Sequence, residues 1–346
     1  ASDSSPVPGA SIFDASGKMI GMTDTDGSIP PTVCDKYPIA IRSLGYNEHT
    51  LTAPADTVLL TGRIYDLKEV EVGTADRNVV RLICYIREYS SSASSDKSAT
   101  IFAEYMADYF LPRKGAKKIK TQRHPRVLGW RGFGHFTDSD SGLDSVAYLQ
   151  HLGTGMFSWI ELIEIDGKPV ETSHRLKDNP ALKGDTIHGK HGLKEVYRQN
   201  DRSFSATFDA LADKKGHVWS PTALKLIGAT LDIDQMFMSQ TYFRNRSGEY
   251  WPEDLVSATY TMNALGRGKW IKKAFDTKGD VSLKAYFEIY IVDREYLPAD
   301  EAKQLMKDGT LSMKVRRPAE APQPDAATQR IIDRVIAERR DTGQGN

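Results

Sequence analysis

The strongest constraint on this chain is a run of short β-branched and aromatic segments between residues 127 and 291. Clear examples are residues 159–165, 204–208, 224–229, 236–243, 258–262 and 283–291, several with apolar side chains at every second position. Alternation with period two places one side of a strand in a core and the other in water. Pairs such as Asp166-Gly167 and Ser247-Gly248 suit hairpin turns between such strands. No strand–helix–strand rhythm is present, which argues against a parallel sheet. The expected fold class is mainly β (α+β), with a large antiparallel, possibly curved sheet at its centre.

That sheet is expected to span residues 74–317 and to hold one helix, residues 98–111. Ile101, Phe102, Tyr105, Met106, Tyr109 and Phe110 recur in adjacent pairs four apart, which makes one broad apolar helical face. Asp96 or Ser98 can cap its start and Pro112 marks its stop. Packing under the sheet is the favoured role for so aromatic a stripe, ahead of a cofactor box. Residues 79–86 fit a helical stripe or a strand, and their β-branched content favours the strand. The Ser-rich residues 90–98 read as a loop. After a helix from about Pro298 to Lys307, residues 318–346 comprise a Pro-rich linker and a charged helix over 326–340. The apolar face of that helix is thin (Ile331, Ile332, Val335, Ile336), suited to docking or self-association.

Residues 1–73 have a different texture. Short apolar runs alternate with turn signals such as Asp14-Ala15-Ser16-Gly17 and Thr23-Asp24-Thr25-Asp26-Gly27, with prolines at 30, 31, 38 and 54. Strands this short, and no helical stripe, predict a small antiparallel β-sandwich. Gly27 follows two aspartates where positive φ suits glycine, and Gly45 would let the chain bend so that Tyr46 covers one end. Asp24 and Asp26 could bind calcium, but no further ligands are visible and a plain turn is favoured. Pro8-Gly9-Ala10-Ser11-Ile12, the stretch from Gly21 to Ile29, and Arg42-Ser43-Leu44-Gly45-Tyr46 resemble the carboxypeptidase regulatory-like family, with its "P-G-A-x-V", "G-x-x-T-D-x-D-G-x-F" and "S-x-x-G-Y" motifs. Leu67-Lys68-Glu69-Val70-Glu71-Val72 is similar to the strand that often closes such modules in Gram-negative envelope proteins. Ile29 stands where the family usually has an aromatic residue, and the family's strand upstream of P-G-A has no counterpart. The resemblance covers the N-terminus only. It implies a transthyretin-like sandwich that binds or positions, in an exported protein of the periplasm or outer-membrane surface of a Gram-negative cell. The polar start, Ala1-Ser2-Asp3-Ser4-Ser5, without a methionine, is what removal of an export segment would leave.

Charge and cysteine content narrow the function classes. Lys plus Arg and Asp plus Glu are 46 each, so no overall basic field exists for nucleic acid. The local cluster Arg113, Lys114, Lys117, Lys118 and Lys120 reads as a solvated loop. Cys34 and Cys84 are too few for a disulfide scaffold or a cysteine-type zinc site, and both sit among apolar residues as free thiols would. No run approaches the apolar length of a transmembrane span.

Candidate chemistry is sparse. His188 and His191 have metal-ligand spacing, but the adjacent glycines and lysines favour a loop. The stretch from Asp138 to Asp144 looks like a calcium loop without the distal glutamate, and a hairpin turn explains it as well. The Gly-rich aromatic stretch from Gly129 to Phe136, with Arg131, could line a ligand groove or bend a core strand, the latter being favoured. Neither a Gly-x-Ser-x-Gly elbow nor a phosphate-binding glycine loop is present. Glu161 with Glu164, and Asp232 with Asp234, are the obvious close acidic pairs. No catalytic, cofactor-binding or metal residue is assigned and no cofactor is expected. The sequence favours a non-enzymatic envelope scaffold, adhesion or ligand-binding component, whose partner would be a protein, a glycan or an apolar ligand. A hydrolase acting on peptide or polysaccharide, and a carrier holding an apolar ligand in a curved sheet, are the alternatives.

Overall fold

The structure is a computed structural model that describes residues 6–62, 77–113, 125–150, 186–188, 194–199, 203–211, 216, 218–220, 222–243 and 250–341. The small module is a four-stranded antiparallel sheet of β1 (Ser11–Asp14), β2 (Met19–Met22), β3 (Ile39–Arg42) and β4 (His49–Leu51), in the order β2-β1-β3-β4. The large sheet has ten strands: β5 (Val79–Ala93), β6 (Lys97–Pro112), β7 (Arg126–Asp138), β8 (Leu143–Leu149), β9 (Thr186–His188), β10 (Lys194–Gln199), β11 (Ser203–Asp209), β12 (Thr230–Phe243), β13 (Leu255–Arg267) and β14 (Val281–Leu297). Its order is β8-β7-β6-β5-β14-β13-β12-β11-β10-β9. Every pairing is antiparallel, as the alternating runs predicted. Helices are few among the described residues: α1 (Thr222–Lys225), α2 (Lys269–Ala274), α3 (Ala299–Lys307) and α4 (Ala326–Asp341).

The predicted helix at 98–111 is a strand, β6, paired along its length with β5 and β7. The error has a physical origin. Both faces of β6 are buried, so its period-two signal is filled in from both sides. Ala103, Tyr105, Ala107, Tyr109 and Leu111 join one core, while Phe102, Met106 and Phe110 join cores on the opposite face. Glu104 and Asp108 interrupt the second set at a four-residue spacing that imitates the polar side of a helix. Among the helices that pack on the large sheet, α4 is the longest. Its Ile331, Ile332 and Val335 are buried with Phe102 and Phe133, at about 1.5–3 kcal/mol each for burial of such side chains.

Two smaller corrections follow the same logic. The Ser-rich loop shrinks to residues 94–96, because Ser90 and Ser91 are buried within β5 beside other strands and their hydroxyls have partners. Leu224 and Lys225 belong to the short helix α1 and the next residues to a turn, so the apolar run at 224–229 is not a strand. By contrast, residues 138–144 form the expected β7–β8 hairpin turn.

The small sheet lies on the large one. Phe13, Met19 and Met22 bury against Tyr89, Phe102, Tyr286 and Phe237, while Ala10, Ile12, Val33, Ile39, Ile41 and Leu51 close the module's own core. Gly9 has φ 67°, and a Cβ there would stand 2.7 Å from Phe237 Cβ, so the close approach requires glycine. Asp24 uses its turn position to accept a hydrogen bond from Gln235 Nε2 of β12 at 2.9 Å. The residues between α3 and α4 run as a strap across this same face. Ala321, within the stretch expected to be a linker, is 5% exposed, and Met313 N donates to Leu128 O at 2.8 Å.

Candidate functional site

The two faces of the large sheet have opposite chemistry. On the face that receives the small module and the strap, β5, β6 and β14 carry charged side chains at alternate positions, and each is paired. Arg81 Nε donates to Asp108 at 2.8 Å, Arg126 donates to the same carboxylate at 2.7 Å, and Arg81 also reaches Glu295 at 2.7 Å. Glu104, fully buried, accepts from Tyr85 and from Arg131, and from Arg317 of the strap at 2.8 Å. Arg87 binds Glu288, whose carboxylate also accepts from the Tyr286 and Tyr290 hydroxyls at 3.0 Å each. Burial alone would raise Glu104 and Glu288; the tyrosine hydroxyl and arginines around the first, and Arg87 above all around the second, outweigh it and hold both below the usual carboxylate range.

This network ties separate parts of the chain to one platform. Arg87 Nη1 donates to Pro322 O at 2.6 Å, and Arg126 donates to Leu305 O and Asp308 O. Arg42, from β3 of the small module, bridges Glu48 and Asp325 at the start of α4, with its guanidinium 4.4 Å above the Phe13 ring. Asp325 in turn caps α4, accepting from Ala327 N at 2.8 Å and Thr328 N at 3.0 Å. Burial opposes ionisation of Asp325, but Arg42 and the Thr328 donors bring it down to about 2. Charges engaged in this way are structural.

The opposite face is apolar. Val80, Leu82, Cys84 and Ile86 of β5 lie with Phe287 and Ile289 of β14, Tyr260 and Met262 of β13, Met236 and Met238 of β12, and Phe204 of β11. Small residues recur there: Ala103, Ala107, Ala206, Ala258, Ala264 and Ala285. In one register row, Ala103 stands opposite Glu88, Glu88 opposite Phe287, Phe287 opposite Tyr260, Tyr260 opposite Met238, and Met238 opposite Phe208. Glu88 and Tyr260 are thus two strands apart, about 10 Å in backbone spacing.

Three polar groups on this face are unusual. The Tyr109 and Tyr260 hydroxyls are buried without a hydrogen-bond partner among the described residues. Burial pushes both phenols well above their ordinary range, so they remain neutral donors. Glu88 is 6% exposed and, among the described residues, has no cation beside it and one side-chain partner, the Ser90 hydroxyl donating at 2.5 Å. Burial raises this carboxyl to about 7, against a smaller lowering by Ser90. Nearby, Tyr242 donates to Gln240 Oε1 at 2.7 Å. Such a surface offers neutral donors and a protonatable acid within an apolar wall. It offers no activated nucleophile: burial also pushes the Cys84 thiol up, away from thiolate chemistry.

The residues singled out from sequence are scattered. Glu161, Glu164 and His191 lie outside the described residues, as does the basic cluster apart from Arg113, which pairs with Glu253 at 2.8 Å. His188 ends β9. Asp232 is held by Arg267 and by Ser220 Oγ at 2.5 Å, while Asp234 sits at a β-bulge and accepts from Asn263 Nδ2 at 2.7 Å. They point to separate partners and form no acid–base pair. Arg131 pairs with Glu104, and the Gly129–Phe136 stretch is strand β7, whose Phe133 is core. Asp138 accepts from Asp140 N at 2.9 Å, closing the hairpin turn. Cys34 and Cys84 are free thiols. No group of metal-ligating side chains occurs among the described residues, and no helix among them is long and apolar enough to cross a membrane. Sequence reasoning missed Glu88, Tyr109 and Tyr260. The available signal was a lone acid flanked by apolar strand, Ile86-Arg87-Glu88-Tyr89, with no basic partner on its own side.

Comparison with known proteins adds little. No protein-family model matches the chain, and no curated protein does. A solved structure described as lipid–protein interactions in lipovitellin aligns over 73% of this chain with 11% identity and a TM-score of 0.30. The alignment spans 28% of that chain, and a likeness this loose carries neither fold nor function across.

Proposed function

We propose that this protein is a non-catalytic, ligand-binding component of the cell envelope, whose large sheet carries an apolar molecule against its apolar face. The observation that supports it is the pair of buried, unpartnered hydroxyls of Tyr109 and Tyr260 on that face. A buried donor without a partner costs about 1–3 kcal/mol, and phenylalanine would fill the same space without that penalty. The polar end of a ligand would meet Tyr260 and the Glu88 carboxyl, which lie in one register row two strands apart, while Tyr109 stands six residues further along β6 and would meet another polar atom of the same molecule. Alanines recur along the central strands of this face, where a larger side chain would compete with a bound molecule for the same volume. The envelope address rests on the N-terminal motifs, which resemble the carboxypeptidase regulatory-like pattern; cell fractionation tests it, and a cytoplasmic protein would refute it.

The binding reading is tested by organic extraction of the natively purified protein followed by mass spectrometry. A bound apolar species in near-equimolar amount is expected, and it should diminish in Ala258→Phe, which fills the wall. Repeated recovery of nothing, together with no uptake of a fluorescent long-chain probe, would overturn the proposal.

A further inference from the structure

One end of the large sheet gathers the segment before β12, the β13–β14 connection, the β5–β6 turn and the β7–β8 turn. The register places them together: Thr230 pairs with Arg267, Gly266 with Val281, Ser282 with Ala93, Ala93 with Ser98, and Lys97 with Asp138. Two of these segments touch closely. A Cβ on Gly268 would stand 2.3 Å from Gly228 O, and Ile271 of α2 buries with Ala229, Val281 and Leu224. Their tips are therefore fixed side by side, anchored by buried neighbours.

What those tips present is unusual for a surface. Leu226 is 90% exposed, Ile227 51% and Trp270 49%, with Phe275 at 37%. Scattered exposed apolar residues need no explanation, but a cluster including an exposed tryptophan on two adjoining tips does. Lys225, Lys269, Lys272 and Lys273 lie on the same two segments without an ion-pair partner among the described residues, Lys272 and Lys273 at the rim of a cleft that Asp96, Asp138, Asp140 and Asp276 also line. Elsewhere on this end the charges are matched: Lys278 pairs with Asp140, Lys97 with Asp276 and Asp138, and Arg267 with Asp232 and Asp280, while Asp96 is taken up by Thr277 and Ser94.

We infer that this end of the sheet docks on an anionic lipid bilayer, with Leu226, Ile227 and Trp270 entering the headgroup layer and the four lysines meeting lipid phosphates. A tryptophan ring suits that depth because it is apolar with one donor, and lysines near an anionic surface each add to the attraction. A protein groove would ask for no particular charge, whereas these two segments carry four lysines that have no ion-pair partner among the described residues. The inference does not depend on the ligand proposed above, whose face of the sheet is a different one.

The test is sedimentation of the full chain with vesicles of phosphatidylcholine alone or with phosphatidylglycerol added. Binding is expected to the anionic vesicles at low salt and to fall as salt rises. Leu226→Ser with Ile227→Ser, and separately Lys225→Glu with Lys269→Glu and Lys273→Glu, should each weaken it by about tenfold or more. These side chains are exposed, and an unchanged thermal melt checks that the variants fold. A second measurement is quenching by brominated lipid, which should be lost in Trp270→Phe. No sedimentation with anionic vesicles, binding undiminished in both variant sets, or quenching retained without Trp270 would each overturn the docking surface, whatever ligand extraction finds.

Discussion

Glu88 gives the sharpest quantitative expectation. Its carboxyl is raised from 4.5 to about 7 by burial, and no cation compensates it. Below about pH 4.5 the group is protonated in both folded and unfolded chains and contributes no penalty. As pH rises, the unfolded chain ionises first, so stability falls progressively until the folded group also ionises near 7, and is then level. Each pH unit of separation corresponds to about 1.4 kcal/mol, so the full loss is about 3 kcal/mol. Glu88→Gln keeps the shape and the Ser90 contact but removes the titration. Urea unfolding at pH 4.5 and pH 8 should therefore show the variant near wild type at the lower pH and about 3 kcal/mol more stable at the higher. The deeply lowered acids, Asp325 and Asp96 at about 2, lose their stabilising contribution only as pH falls below the ordinary carboxylate range, outside this window. Equal pH dependence in wild type and Glu88→Gln would refute the account of this carboxyl.

Other outcomes follow from the strap and its ties. Arg87→Met leaves Glu288 buried without its cation and should destabilise by about 3–5 kcal/mol, whereas Arg87→Met with Glu288→Leu should recover much of that loss in urea titrations. Gly129→Ala would place a Cβ 1.9 Å from Met313 O, so the strap must shift; faster proteolysis between α3 and α4 is the expected sign. Asp325→Ala removes the cap of α4 together with the Arg42 ion pair, and hydrogen exchange in α4 should rise by a factor consistent with about 2 kcal/mol. Gly9→Ala should loosen the small module from β12, read as exposure of Phe237 to an apolar dye.

Residues 258–262 and 283–291 fall within β13 and β14 and were legible as strands although both faces there are largely buried, because Thr259, Thr261, Lys284 and Glu288 still alternate with apolar neighbours. At β6, burial on both faces erased the alternation that distinguishes strand from helix, and only long-range pairing with β5 and β7 settles it. The strap was unreadable for another reason. Pro318, Pro322 and Pro324 specify an extended chain in a linker and in a docked segment alike, and the choice is made by Arg87 and Glu104, far away in sequence. The charged residues that caught attention, such as Asp232 and Asp138, proved to serve turns and pairs, while Glu88 is defined by what its neighbours lack.

The pairing of β5 with β14 sets a timetable for biosynthesis. Glu288 is separated from Arg87 by 201 residues, so at ordinary translation rates roughly 10–40 s pass before that cation can meet its partner. Over that interval the edge of β5 that will receive β14 is an open template, and Arg87, which also holds Pro322 of the strap, lacks its carboxylate partner. Assembly of the central sheet is therefore an event of late or completed synthesis, when β14, the strap and α4 emerge in that order. A nascent chain stalled before β14 should be held by chaperones or recruited into aggregates, while one released after α4 should not.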